Sequence, residues 1–209
     1  MSLLDLLFPP RCGGCGAYGA PWCAACAGTL RIPSASTLAG IPLVAAGQFD
    51  GPLQRAIHTY KYRPRPQLAS VLAPALGRAM ATAGVSLSAL TFVPLHPRRE
   101  RERGFNQAQR LAAHLAGAVG IPLVGGLTRV RATPAQVGLS QAERRANLAR
   151  AFHWTAVEPP GERLGLVDDV CTTGATLTAA AEAVVEAGGS IGAFLVLAVA
   201  QTLPAVAVT

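Results

Sequence analysis

The sequence predicts an α/β fold, a parallel sheet flanked by helices, with a small cysteine-bearing unit ahead of it. Three observations carry this expectation. Short, wholly apolar runs such as Ile191 to Val199 suit strands buried on both faces. They alternate with helical stretches such as Gln67 to Ala83 and Ala175 to Ala187. Two CxxC pairs precede them all. With 209 residues, 51% hydrophobic and 14% charged, the chain can bury one ordinary core and is too apolar for a disordered one.

Residues 1–34 read as a distinct unit. Cys12 and Cys15 are followed after seven residues by Cys23 and Cys26, and Gly13, Gly14 and Gly16 permit the tight backbone that converging thiolates need. So short a segment cannot bury a useful core, and structural zinc would supply the missing folding energy, on the order of 10–16 kcal/mol. Two disulfides or a thioredoxin-type redox pair are the alternatives. The opening MSLLDLLFPP has no cationic region and carries Asp5, unlike a secretory leader, which argues against the oxidising compartment that disulfides require.

Residues 33–40 read as a linker, and residues 41–209 as the main domain, opening on a strand over Ile41 to Phe49. Leu53 to Arg65 begins as an amphipathic helix and ends in Tyr60-Lys61-Tyr62-Arg63, which interleaves rings with cations. That pattern suits stacking on nucleic-acid bases with phosphate contact, and equally a helix end with its tyrosines in the core. Thr91 to Val93 is a short strand, Leu95 to Arg103 a cationic loop, and Phe105 onward a helix with Leu111, Leu115 and Val119 on one face. Ile121 to Val124 reads as another strand. A long Arg- and Gln-rich segment of about 127–150 follows, with an S-x-x-E helix start at Ser140 and Glu143.

The chemistry concentrates in LGLVDDVCTTGATL, residues 164–177. An apolar strand stops at Asp168 and Asp169 and gives way to a small-residue loop that opens a helix. Ligands of open α/β sheets bind at the carboxyl ends of strands, and a helix N-terminus presents orphan N–H groups to an anion. Two carboxylates repel a phosphate and suit hydroxyls or a bridging cation. Donors for an anion beside paired acids fit a sugar phosphate.

Net charge is +7, and Lys61 is the only lysine. A basic chain favours polyanionic partners such as phosphorylated metabolites or nucleic acid. No G-x-G-x-x-G follows a strand, which argues against a dinucleotide oxidoreductase. The apolar run from Ile191 is interrupted by Gln201 and Pro204 and suits a buried strand better than a membrane span. The expectation is a cytoplasmic protein with no membrane span.

Residues 164–177 resemble the loop that binds phosphoribosyl pyrophosphate (PRPP) in type I phosphoribosyltransferases. That resemblance implies that Asp168 and Asp169 hold the ribose hydroxyls, and that Cys171, Thr172, Thr173, Gly174, Ala175 and Thr176 surround the 5′-phosphate, with magnesium accompanying PRPP. A more extensive resemblance is to the competence protein F (ComF) family. It runs through LLDLLFPPRCGGC, HTYKYR and VPLHPRRERERGFNQA, then Gln136, Leu139, Arg144, Asn147 and Phe152, and ends at LVDDVCTTGATL.

This second resemblance implies a type I phosphoribosyltransferase-like sheet with an N-terminal four-cysteine zinc unit, a pyrophosphate loop at Leu95, His96, Pro97, Arg98 and Arg99, and a hood over the substrate at about 127–150. It further implies a cytoplasmic role in natural transformation, handling single-stranded DNA beside the competence machinery, with Tyr60, Lys61, Tyr62, Arg63, Arg99 and Arg103 at the nucleic acid. The chain departs from type I enzymes by placing His96-Pro97-Arg98-Arg99 where they commonly have a small-residue loop. PRPP binding and catalysis are therefore separate expectations, the latter as a transferase for an unidentified acceptor.

Overall fold

A computed structural model describes residues 9–63, 65–130, 151–158 and 160–200. Its centre is a five-stranded sheet in the order β1 (Ser36–Leu38), β2 (Ile41–Gln48), β7 (Ile191–Val199), β6 (Leu164–Cys171), β3 (Ala89–Phe92). All neighbours are parallel except the β1–β2 hairpin. The parallel sheet flanked by helices is as the sequence predicts. The stretch expected to be a linker at 33–40 instead contributes β1, which adds an antiparallel edge to β2.

Both faces of the sheet are covered, and this is why its strands lack polar alternation. Along β7, Ala193, Leu195 and Leu197 pack on one side with Ile57, Leu72, Leu76, Leu111 and Leu115. The intervening Phe194 and Val196 pack on the other with Leu177, Ala180 and Val184. Helices α2 (Gly51–Tyr62), α3 (Leu68–Ala83) and α5 (Gln107–Val119) therefore form one layer. Helix α6 (Ala175–Glu186) and a small antiparallel pair, β4 (Leu127–Arg129) with β5 (Phe152–Trp154), form the other.

Gly165 marks how closely the sheet is packed, since a Cβ there would stand 2.6 Å from Leu90 and 2.9 Å from Leu195. Ile121 to Val124, expected as a strand, makes a single parallel bridge from Leu123 to Leu90. Residues 95–103 are not a loop throughout: Pro97–Arg103 forms a short helix, α4, started by Pro97 at its first turn and ended by Gly104 with φ 80°. Residues 131–150, which include most of the expected hood and the Ser140–Glu143 helix start, lie outside the described residues.

The cysteine unit, with a five-residue helix α1 (Ala24–Gly28), docks on α2. Arg55 Nε donates to the Gly14 carbonyl at 2.5 Å and Thr59 Oγ1 to the Gly13 carbonyl at 3.4 Å. Gly13 lies against Leu68 and Ala56, where a side chain would crowd both.

Candidate functional site

Strand lengths create the site. β3 pairs with β6 only as far as Phe92 opposite Val167, and the final bond on that side runs from the Val93 N–H to the Val167 carbonyl. β6 continues to Cys171, held on its other side by β7. The acids therefore lie within β6, not at its end as the sequence suggested, but they lie beyond the end of their neighbour. Each finds itself at an opened edge of the sheet.

Successive residues of a strand face opposite sides. Asp169 shares the side of Val167, where Lys61 from the end of α2 meets it at 2.8 Å with both side chains largely buried. Burial opposes the Lys61 charge, yet Asp169 and Asp168 together hold its pKa above the ordinary value. Asp168 shares the side of Leu166, accepts a bond from the Asp169 N–H at 2.8 Å, and feels Arg129 of β4. Burial, and then Asp169 beside it, push the Asp168 carboxyl up to about 7, against the pull of Lys61 and Arg129. The two acids are thus unequal: one is neutralised internally, the other is not.

The loop after β6 is built for close approach. Thr172 is exposed and Thr173 and Thr176 are half-buried, while Gly174 caps α6 with φ 78°. A Cβ on Gly174 would collide with Leu38 of β1, so conformation and space both require glycine there. Thr173 Oγ1 accepts from the Ala175 N–H at 3.5 Å. The Cys171 thiol is buried in the core layer under α6 and pushed up to about 12 by burial, so that residue offers the loop its backbone and not its side chain.

Cations approach from two elements. His96 caps α4, its Nδ1 accepting from the Arg98 N–H at 3.2 Å. Leu95 is half-buried and Pro97 exposed at the start of that turn. Arg98 pairs with Glu102 on the surface at 2.9 Å. Arg99, half-buried, is near enough to Arg129 for the two cations to repel, and burial with Arg99 holds the Arg129 pKa below its ordinary value. Arg129 stacks on Phe152 at 5.3 Å and is 9% exposed. The sequence reading did not single it out. Its signal was an arginine in a short strand that begins on Leu127 and is followed by Val130, which is unusual in a buried place without a charged partner.

The residues expected at nucleic acid separate in the structure. Tyr60 is fully buried, its ring tilted against Phe105 and its hydroxyl donating to the Gln107 carbonyl at 2.8 Å, so it cannot stack on a base. Lys61 is turned to Asp169. Tyr62 is 68% exposed and lies under Arg103 at 5.1 Å. Tyr62 and Arg63 line an open groove of about 730 Å³ between α2 and the cysteine unit, together with Arg11, Arg55, His58 and Arg65. Among the described residues no carboxylate lines it.

The four cysteine sulfurs lie within 4.8 Å of one another, with Cys12–Cys26 and Cys15–Cys23 each at 3.7 Å. That is far too long for disulfides and close to the edge, roughly 3.8 Å, of a tetrahedron with zinc–sulfur bonds of about 2.3 Å. Burial opposes the Cys12 thiolate, but N–H groups of Cys15, Cys23 and Gly14 turned to its sulfur lower its pKa to about 6. The donor set is four thiolates, closed to substrate, and can hold a structural zinc ion.

The Asp168 carboxyl makes stability depend on pH in a defined direction. Its folded value lies above the ordinary 3.8, so the native chain binds more protons than the unfolded one between these values. This contribution is fully present at low pH and is lost as pH rises through about 7. Asp168→Asn should therefore raise Tm relative to the parent at pH 8 and much less at pH 5, measured by calorimetry without ligand.

No family model matches the chain, and no curated protein does. Several solved structures are similar. Orotate phosphoribosyltransferase from Aeropyrum pernix is 22% identical, with a TM-score of 0.44, over 86% of this chain and 80% of that one. Adenine phosphoribosyltransferase from Thermoanaerobacter pseudethanolicus is 15% identical, with a TM-score of 0.41, over 64% and 78%. Glutamine PRPP amidotransferase from B. subtilis is 23% identical, with a TM-score of 0.43, over 67% of this chain and 30% of that one, so the match spans less than a third of the amidotransferase.

Proposed function

We propose that the chain binds PRPP or a closely related phosphosugar at the carboxyl edge of β6. The observation that carries this reading is the succession, within nine residues, of an incompletely neutralised acid pair and a glycine-capped helix start, with Arg129 near Asp168 and Arg99 near Arg129. Asp168 and Asp169 take the ribose hydroxyls, residues 172–176 the 5′-phosphate, and Arg99 with Arg129 the diphosphate. Asp168, whose charge the fold leaves costly, also fits the Mg²⁺ that accompanies PRPP; the ion would neutralise diphosphate charge. Lys61 must yield part of Asp169 to an incoming hydroxyl.

If a transfer step occurs, pyrophosphate leaves the anomeric carbon through an oxocarbenium-like state, and the chain's contribution is positioning and charge stabilisation. The buried Cys171 thiol supplies no nucleophile.

Thermal-shift titration with PRPP and Mg²⁺ tests the site. At a hundredfold excess over Kd the parent should gain about 2.7 kcal/mol, and Asp168→Asn/Asp169→Asn should gain nothing. An equal response from both removes the ribose assignment.

A role of the ComF kind, with single-stranded DNA handled during uptake, is supported by a second observation. The arginine groove beside the cysteine unit joins four cations to an exposed ring, with no acid among its described residues. Its residues are Tyr62 and Arg63 with Arg11, Arg55 and Arg65, and Arg103 lies outside it over the Tyr62 ring; Tyr60, Lys61 and Arg99 serve elsewhere. Binding of an oligonucleotide should weaken steeply with salt, and Arg63→Ala should lower the slope of log K against log salt by about 0.7. Salt-insensitive binding, or none, contradicts it.

A further inference from the structure

Three consecutive residues near the end of α2 are tied to three different parts of the molecule. Thr59 bonds to Gly13 in the cysteine unit, Tyr60 to Gln107 at the start of α5, and Lys61 to Asp169 on β6. The same end is also packed by the buried Tyr60 ring against Phe105 and by Arg103 over the Tyr62 ring. The helix is 12 residues long and ends at Arg63, whose extended backbone donates its N–H to the Thr59 carbonyl, and the sequence places prolines at 64 and 66 just beyond. Beyond it, Arg65 Nη1 donates to the Arg11 carbonyl at 2.8 Å, and one turn before Thr59, Arg55 holds the Gly14 carbonyl.

All three acceptors, the carbonyls of Arg11, Gly13 and Gly14, belong to or adjoin the Cys12–Cys15 turn. That turn has no core of its own; its backbone is held by bonds from the Cys12 N–H to the Ala17 carbonyl and from the Gly13 N–H to the Pro21 carbonyl, together with convergence of the four sulfurs. Lys61 meanwhile is 20% exposed and must place one ammonium against a nearly buried carboxylate. A small displacement of the helix end would break that pair.

We propose that the four-cysteine unit is a positioning element for Lys61: metal held by Cys12, Cys15, Cys23 and Cys26 fixes the carbonyls that hold the end of α2, and so keeps the ammonium on Asp169. The consequence for ligand, that metal loading sets affinity at the acid pair, rests on the phosphosugar reading above. The positioning itself does not.

Because the chain has a single lysine, the contact can be read directly. The zinc-loaded full chain is treated with an amine-acylating reagent, and the rate at Lys61 is followed by peptide mass, apart from the terminal amine. Asp169→Asn gives the rate without the pair. The variant Arg55→Met/Thr59→Val, verified to retain zinc, should be acylated about tenfold faster than the parent, approaching Asp169→Asn, as should the parent after chelation. Thr59→Ser, which keeps the hydroxyl, should stay protected when Arg55 is intact.

Parent-like protection in Arg55→Met/Thr59→Val, with Asp169→Asn fast, overturns the proposal: the packing of Tyr60 and Tyr62 would then be holding the helix end. Should chelation unfold the chain by circular dichroism, the zinc-retaining variant decides. In a parallel arm, the Kd for PRPP with Mg²⁺ should rise in Arg55→Met/Thr59→Val, but not when the same pair is introduced into Lys61→Met. No binding by the parent would overturn the phosphosugar reading and leave the acylation result to judge the positioning.

Discussion

Strand β6 outlasts its neighbour. β3 leaves the sheet after Phe92, and four residues of β6, 168–171, project past it while β7 holds their other side. This mismatch leaves the β3 side of the strand unpaired beside two carboxylates, Asp168 half-buried and Asp169 buried against Lys61, while pairing with β7 holds the backbone on the other side. Two cations answer the charge of the acids, Lys61 from α2 and Arg129 from β4, and Arg99 from α4 lies near Arg129. Burial and Asp169 together raise the Asp168 carboxyl above its ordinary value, a perturbation that active and binding sites share with structural ion-pair networks.

Much of the fold was legible because buried parallel strands and amphipathic helices leave strong patterns. β2, β6, β7, α3, α5 and α6 all lie where apolar runs and helical periodicity put them. What escaped notice depends on partners distant in sequence or on pairing that composition does not announce. β1 is polar at Ser36 and Thr37 and becomes a strand because Pro42 and Leu43 lie opposite. Leu123 makes one bridge because the chain turns away. Arg129 is buried against Phe152, 23 residues later in the sequence.

The HTYKYR stretch shows the same limit at single-residue scale. Its rings and cations left base stacking and core packing equally open. A helix distributes neighbours by about 100°, and its last three residues part company: Tyr60 goes to the core, Lys61 to an acid, and Tyr62, exposed, to the groove that Arg63 also lines just beyond the helix. The cysteine spacing was the clearer signal, since CxxC geometry is local. Its docking on α2 was not, because it is made by backbone carbonyls that carry no sequence signature.

In the proposed phosphosugar site the acid pair lies between two separate anion-holding features, the loop at 172–176 and the arginines 99 and 129. Phosphorus NMR of PRPP bound to the full chain with Mg²⁺ tests it most directly, because the 5′-phosphate and the diphosphate give distinct resonances. The account predicts that both ends shift on binding, and that Arg99→Ala sharply reduces the diphosphate shift while the monoester shift persists. Loss of both shifts together in that variant, or a bound diphosphate with an unperturbed 5′-phosphate in the parent, would contradict it.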